Sequence, residues 1–235
     1  LAVGVAFLWG YLWINKVWLP NPATGVIHWL PYGVLALTFL SASKQLQQFD
    51  RIWTAFVVIG LTIAIGLKAG SSGSYPMLLA SGVLLVVRWS FSSFGGVKNK
   101  FSGFDAFAIF GISAAASIVA FFEGGSSKTA QLAALLGVIC GAGFLFKRTK
   151  DVSPNALGVL GATFWFLTIL LHYFTYNFPL SAANFLLAMP LAGFAVLSFL
   201  SKRPTAARSI AFLSLILLAA IAIWLTKLAA PEPYY

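Results

Sequence analysis

His28 and His172 are the side chains of this sequence best suited to bind a ligand. Each lies near the end of an apolar segment and beside an aromatic residue, Trp29 in one case and Tyr173 in the other. Two imidazoles on one face can bind a haem, a pigment or a polar substrate. The simpler alternative is that each ring lies in the membrane interface with its polar tip in water. The sequence leaves both interpretations open.

Three further residues complete the predicted substrate-binding set: Asn15, Trp165 and Asn184. The two asparagines fall within or near apolar segments, where a buried amide must find a hydrogen-bond partner. Bonding between helices is the alternative to ligand binding for both. Trp165 is expected to lie deep in its segment and, with Trp9 and Trp13, to form the apolar wall of a pocket.

Acidic side chains are few, and none falls in the middle of an apolar segment. The five are Asp50, Asp105, Glu123, Asp151 and Glu232. A coupled antiporter or an intramembrane enzyme commonly needs a buried carboxylate, so this pattern argues against both classes. Cys140 is the only cysteine, and no metal-ligand spacing or catalytic motif occurs in the sequence. We therefore predict no catalytic residue and no metal site, and the sequence identifies no cofactor.

The composition indicates that lipid is the solvent for most of the protein surface. The 235 residues are 60% hydrophobic and 9% charged, whereas soluble domains carry about 25% charged residues. The net charge of +10 comes from basic residues placed between apolar segments. This placement is typical of membrane topology, so the expected partner is a lipid bilayer and not nucleic acid.

Nine apolar segments approach the roughly 17–25 residues that a transmembrane helix needs. They are 2–19, 26–43, 52–69, 75–92, 104–122, 130–147, 156–175, 180–200 and 209–228. The first lacks the basic start of a signal peptide, so we expect a retained span. The predicted fold is all-α, a polytopic transmembrane helical bundle forming a single integral membrane domain over 1–235.

Basic residues predict the orientation of these spans. Eleven of the 15 Lys and Arg residues lie in connections that follow even-numbered segments. Cytoplasmic loops carry the Lys and Arg excess, which predicts an inner-membrane protein with its N-terminus inside and its C-terminus outside. Pro31 and Pro190 are then expected near the outer starts of their helices, where they free carbonyl groups. This would place the binding site in the outer half of the bilayer.

An internal repeat is visible in the sequence. The three segments within 1–70 resemble the three segments within 156–230, and residues 75–147 lie between the two units. Both units would run in the same direction across the membrane, as parallel repeats of a kind found in transporters. The aligned pairs are Phe7 with Phe164, Pro22 with Pro179 and, after a two-residue slip, Pro31 with Pro190. Separately, Gly137-x-x-x-Gly141 and the small residues from Ser113 to Ser117 predict close helix packing.

The stretch AFLWGYLWINKVWLPNPATGVIHWLPYGVLALTFLSASK resembles the opening hairpin of the EamA-like drug/metabolite transporter superfamily. The shared features are Trp9-Gly10 in an apolar helix, a short turn, and a second helix that ends in a basic residue. Residues from Gly161 to Arg203 show a similar succession of apolar segments and turns. The resemblance implies a small-metabolite exporter. The sequence departs from the family in having nine segments instead of ten, and in lacking its late Gly-Glu pairs.

Three functions remain open from the sequence. A small-solute permease or exporter leads, because the segments are numerous, the connections are short and a repeat is visible. An integral subunit of a larger membrane complex is the second, because the spans contain few polar groups. A haem- or pigment-binding protein or an intramembrane enzyme is the third, and it depends on His28 and His172.

Overall fold

The computed structural model describes residues 2–16, 29–42, 103–146, 163–164, 168, 178–200 and 202–229. All regular structure within these residues is helical. Six helices are delimited: α1 (Ala2–Asn15), α2 (Trp29–Ala42), α3 (Gly103–Glu123), α4 (Ser127–Phe146), α5 (Leu180–Phe199) and α6 (Pro204–Ala229). Four of them, α3 to α6, are long and apolar enough to cross a membrane.

The described helices confirm the all-α class but do not support the count of nine spans. The predicted segments 52–69 and 75–92 lie outside the described residues. Of segment 156–175 only residues 163, 164 and 168 are described, and all three are helical.

Three helix ends differ from the ends of the predicted apolar segments, because local capping and proline also decide where a helix begins or ends. α1 stops at Asn15, four residues early, and Lys16 follows with a positive φ of 58°. α4 begins at Ser127 because Ser126 precedes it as the N-cap. α6 begins at Pro204, since proline suits a first turn in which the N–H has no partner.

The turn between α3 and α4 shows how the sequence ends one helix and starts the next within three residues. Gly125 has a φ of 86°, a left-handed conformation that glycine adopts without strain. The Ser126 N–H donates to the Phe121 carbonyl at 3.1 Å, and the Gly125 N–H donates to the Phe122 carbonyl at 3.0 Å. These two bonds form a Schellman motif. The side-chain oxygen of Ser126 then accepts from the Thr129 N–H at 3.5 Å.

Helices α3 to α6 form a four-helix core with α3 at its centre. α3 packs against α4, α5 and α6, and α5 packs along α6. The Phe110 ring lies 5.9 Å from that of Phe194, and Phe121 lies 5.7 Å from Phe178, so α3 and α5 are antiparallel. α3 is 61% buried across its apolar span and α6 only 22%, which makes α6 the most peripheral of the four.

Small residues bring α3 and α4 close together, as predicted, but not through both members of the Gly-x-x-x-Gly motif. A Cβ added at Gly137 would lie 3.7 Å from the Cβ of Ala114, whereas one at Gly141 would meet nothing within 4 Å. The closest approach is at Gly143, where an added Cβ would lie 2.5 Å from the Phe107 ring. The sequence motif therefore identified the seam but missed its tightest point.

The predicted packing role of Ser113 and Ser117 is confirmed. Both side chains are fully buried, and their hydroxyls donate to the carbonyls of Ile109 and Ser113 at 2.8 Å. Each hydroxyl is satisfied within its own helix, as lipid burial requires.

The tight contact at Gly143 yields a prediction with a control in the same helix. Gly143→Ala should lower the free energy of unfolding by about 1–2 kcal/mol, because the new methyl overpacks the buried Phe107 ring. Gly141→Ala should leave stability unchanged or raise it by up to about 1 kcal/mol, through helix propensity alone. Unfolding in mixed micelles measures both. Equal effects of the two substitutions would contradict the assigned seam.

Candidate functional site

Two of the five predicted site residues lie in the described part of the chain. Asn15 ends α1, and its side-chain Nδ2 donates to the Tyr11 carbonyl at 3.2 Å. Asn184 is half-buried in the second turn of α5. The main packing partners of the two helices differ, since α1 contacts α2 and α4 while α5 contacts α3 and α6.

The remaining predicted site residues, His28, Trp165 and His172, lie outside the described residues. A shared cavity that contains all five residues therefore stays a prediction.

The expectation that Trp9 and Trp13 form a pocket wall was wrong. Their side chains are 68% and 75% exposed, so they face away from the bundle. Because α1 stops at Asn15, Trp13 lies two residues from the helix end. The Lys16 Nζ lies 5.9 Å from the Trp13 ring centroid. Exposure near a helix end beside a lysine is typical of the aromatic belt at a membrane interface.

Pro190 was also misplaced by the sequence prediction. It lies in the interior of α5 and is buried, whereas Pro31 lies in the first turn of α2, as expected. Because proline has no N–H, the carbonyl of Leu186 loses its usual helical donor. This carbonyl belongs to the seventh of the twenty residues of α5, so it lies nearer the start of the helix than its middle.

A polar cluster on α1 and α2 is the best candidate for a ligand-binding site among the described residues. Tyr11 is only 2% exposed, and the neighbouring helix α2 carries the half-buried Tyr32. Asn15 lies one helical turn beyond Tyr11. Phenol and amide groups donate and accept hydrogen bonds without carrying charge, so the cluster suits an uncharged polar ligand.

Sequence analysis had identified Asn15 but missed Tyr11. The available signal was the four-residue spacing of Tyr11 and Asn15, which places both on one helix face. Tyr32 lies near the start of the following helix, and an antiparallel hairpin brings those two ends together.

A second constellation joins the beginnings of α3 and α6. The Arg208 Nε lies 2.7 Å from Asp105 Oδ1, and Arg208 Nη2 lies 3.2 Å from Oδ2. The carboxylate side chain is 9% exposed and the guanidinium side chain 49%. Such a two-pronged contact fixes both the distance and the plane of the guanidinium group. The separation of 103 residues explains why no local pattern revealed it.

A matching but weaker ion pair joins the ends of the same two helices. The Lys227 Nζ lies 3.6 Å from Glu123 Oε1, and both side chains are partly exposed. Asp105 and Glu123 are 18 residues apart, and Arg208 and Lys227 are 19 apart. At a rise of 1.5 Å per residue these intervals span about 28 Å, close to the roughly 30 Å of a hydrocarbon core. The spacing of the two pairs therefore matches the thickness of a hydrocarbon core.

Metal-binding chemistry finds no support in the described part of the chain. No group of three or more His, Cys, Asp or Glu side chains is placed there to hold an ion. Cys140 is buried among apolar residues of the α3–α4 seam.

The two ion pairs should differ in their contribution to stability. Asp105→Asn should cost about 1–2 kcal/mol, because it removes a charge-assisted contact to a nearly buried carboxylate. Glu123→Gln should cost about 0.5 kcal/mol or less, because its pair is longer and solvated. Unfolding of each variant in mixed micelles tests this order. A larger loss for Glu123→Gln would show that the Asp105 pair is not the main link between α3 and α6.

Comparison of the chain with known protein families, with curated protein sequences and with solved structures finds no match in any of the three.

Proposed function

We propose that this chain is a multi-pass membrane permease or exporter that moves a small, uncharged, hydrogen-bonding solute. The observation that carries the proposal is the cluster of Tyr11, Asn15 and Tyr32. Polar groups inside a membrane bundle are costly and commonly functional. Buried Tyr11 and half-buried Tyr32 carry phenol groups on neighbouring helices, and Asn15 adds an amide one turn from Tyr11.

Burial patterns in α2 and α5 support the parallel repeat. Such repeats are common in transporters, so the repeat favours the proposed function. At the offset that aligns Pro31 with Pro190, four of the five buried positions of α2 coincide with buried positions of α5, and Gly33 is the exception because it aligns with the half-buried Ala192. The pairs are Leu30 with Met189, Pro31 with Pro190, Val34 with Gly193 and Thr38 with Leu197. The aligned Phe7 and Phe164 are each 1% exposed.

The same arrangement suggests how access could alternate between the two sides. Ion pairs tie α3 to α6 at both ends, whereas α1 meets the core where Gly10 faces the Leu135 side chain on α4. Rocking of one structural unit against another is the usual basis of alternating access. In this proposal the α1–α2 hairpin moves and the α3–α6 core stays fixed.

Basic residues support a cytoplasmic location for one end of the core. The first turns of α3 and α6 and the last turns of α4 and α5 lie at the same end. The sequence at or beside these turns contains eight basic residues: Lys98, Lys100, Lys147, Arg148, Lys150, Lys202, Arg203 and Arg208. The positive-inside rule then favours this end as cytoplasmic, with nine spans and an external C-terminus as the full proposed topology.

An integral subunit of a larger complex is the second candidate. The low burial of α6 favours it, because an exposed apolar helix can contact another subunit as well as lipid. Migration of the mildly solubilised protein as a larger species would support this candidate. The haem or pigment reading rests on His28 and His172, and an absorption spectrum of the purified protein tests it.

The permease proposal predicts a solute that stabilises the wild-type protein through its polar cluster. In a thermal-unfolding screen of neutral polar metabolites, at least one should raise the midpoint. Tyr11→Phe should raise the solute concentration needed for half of the midpoint shift by about tenfold, because one buried hydrogen bond to the ligand is lost. Ser214→Ala, which removes an exposed hydroxyl of α6, should retain the full effect.

Transport of the same solute into proteoliposomes then tests the activity itself. Uptake should fall with Tyr11→Phe and persist with Ser214→Ala. Wild-type vesicles that accumulate no stabilising solute would refute the permease proposal.

The orientation is tested by thiol labelling in a Cys140→Ala background. A cysteine at Lys128, an exposed residue at one end of the core, should react with an impermeant maleimide in intact cells. A cysteine at Lys202, exposed at the opposite end, should react only after the membrane is broken. The reverse pattern would invert the proposed topology.

A further inference from the structure

Three exposed cations lie at the end of the core where α3 and α6 begin. Lys202 and Arg203 occupy the turn between α5 and α6, and Arg208 follows in the second turn of α6. Asp105 is the only acidic residue at this end among those that the structure describes, and it contacts Arg208. This end therefore keeps a net positive charge.

The Asp105 contact leaves part of the Arg208 guanidinium available. Nε and Nη2 donate to the carboxylate, while arginine has five N–H donors in total. The side chain is half exposed, so its other edge faces the surroundings. The Arg208 Cζ also lies 5.9 Å from the Phe104 ring centroid. The guanidinium is thus held in one orientation, which favours two-pronged binding of a phosphate group.

The position of Arg208 along α6 places its Cα at the edge of a hydrocarbon core, from which the long side chain reaches toward lipid phosphates. It lies at the interface, about 28 Å along α6 from Lys227, which marks the opposite membrane face. Large apolar side chains are exposed at the same end: Phe104 at 46%, Phe212 at 51% and Phe199 at 84%. Phe212 lies one turn below Arg208 on α6, toward the membrane centre. The cations are therefore nearer the end of the bundle than Phe212, in the same order as the phosphate and the acyl chains of a lipid.

We propose that this end of the core binds the headgroup of an anionic phospholipid. Arg208 contacts the phosphate, Lys202 and Arg203 add attraction, and Phe104 and Phe212 pack against the acyl chains. Basic clusters at the ends of transmembrane helices bind anionic lipids, and each cation near the surface raises the affinity by about fivefold. A soluble phosphate would use the same cations, but the exposed rings favour a lipid. The proposal requires a membrane-spanning chain and is independent of solute transport.

Thermal unfolding of the full chain in a neutral detergent tests this proposal, because a ligand of the folded state raises the midpoint. Phosphatidylglycerol should raise the midpoint, and phosphatidylcholine at the same concentration should not. Lys202→Gln should raise the phosphatidylglycerol concentration needed for half the effect by about fivefold, and the double variant with Arg203→Gln by about 25-fold. Lys128→Gln, the matched control at the opposite end, should leave it unchanged. These lysines and Arg203 are exposed, so their loss spares the core.

Three results would overturn the proposal. One is an equal midpoint shift with phosphatidylcholine, which would show that only acyl chains matter. Another is an equal loss of affinity with Lys128→Gln, which would show a general effect of net charge. The third is reproduction of the shift by millimolar inorganic phosphate without lipid, which would identify a soluble anion as the ligand.

Discussion

The rest of the described structure depends on the parallel packing of α3 against α6, and the Asp105–Arg208 pair is the stronger of two ion pairs between these helices. Asp105 with Arg208 and Glu123 with Lys227 bracket about 28 Å of uncharged helix. Charged groups are costly within hydrocarbon, so these four side chains fix how far each helix can slide along the membrane normal. α4 and α5 then pack antiparallel to α3, because short turns connect α3 to α4 and α5 to α6.

Internal satisfaction of polar groups is the second constraint. Buried hydroxyls on α2, α3 and α6 bond to the carbonyl one turn earlier in their own helix. They include Thr38, Ser113, Ser117 and Thr226. Side chains satisfied in this way contribute packing and offer little to a ligand.

Sequence reasoning predicted the helical class and the approximate positions of the six described helices, because hydropathy acts locally along the chain. It failed where contacts between distant residues decide the outcome. Arg208 was assigned to a loop because a charge normally ends a span, yet its pairing with Asp105 lets it lie inside α6. Trp9 and Trp13 were placed in a pocket because a helix end at Asn15 has no hydropathy signature. Tyr11 was missed because burial of a tyrosine depends on which neighbour faces it.

Cross-linking tests the parallel pairing of α3 and α6 most directly. In a Cys140→Ala background, cysteine pairs at 105 and 208 and at 123 and 227 should each be bridged by a short bis-maleimide in the native membrane. The crossed pair at 105 and 227 should not react, because its members lie at opposite ends of the two parallel helices. Efficient bridging of the crossed pair, or failure of both matched pairs in folded protein, would contradict the account.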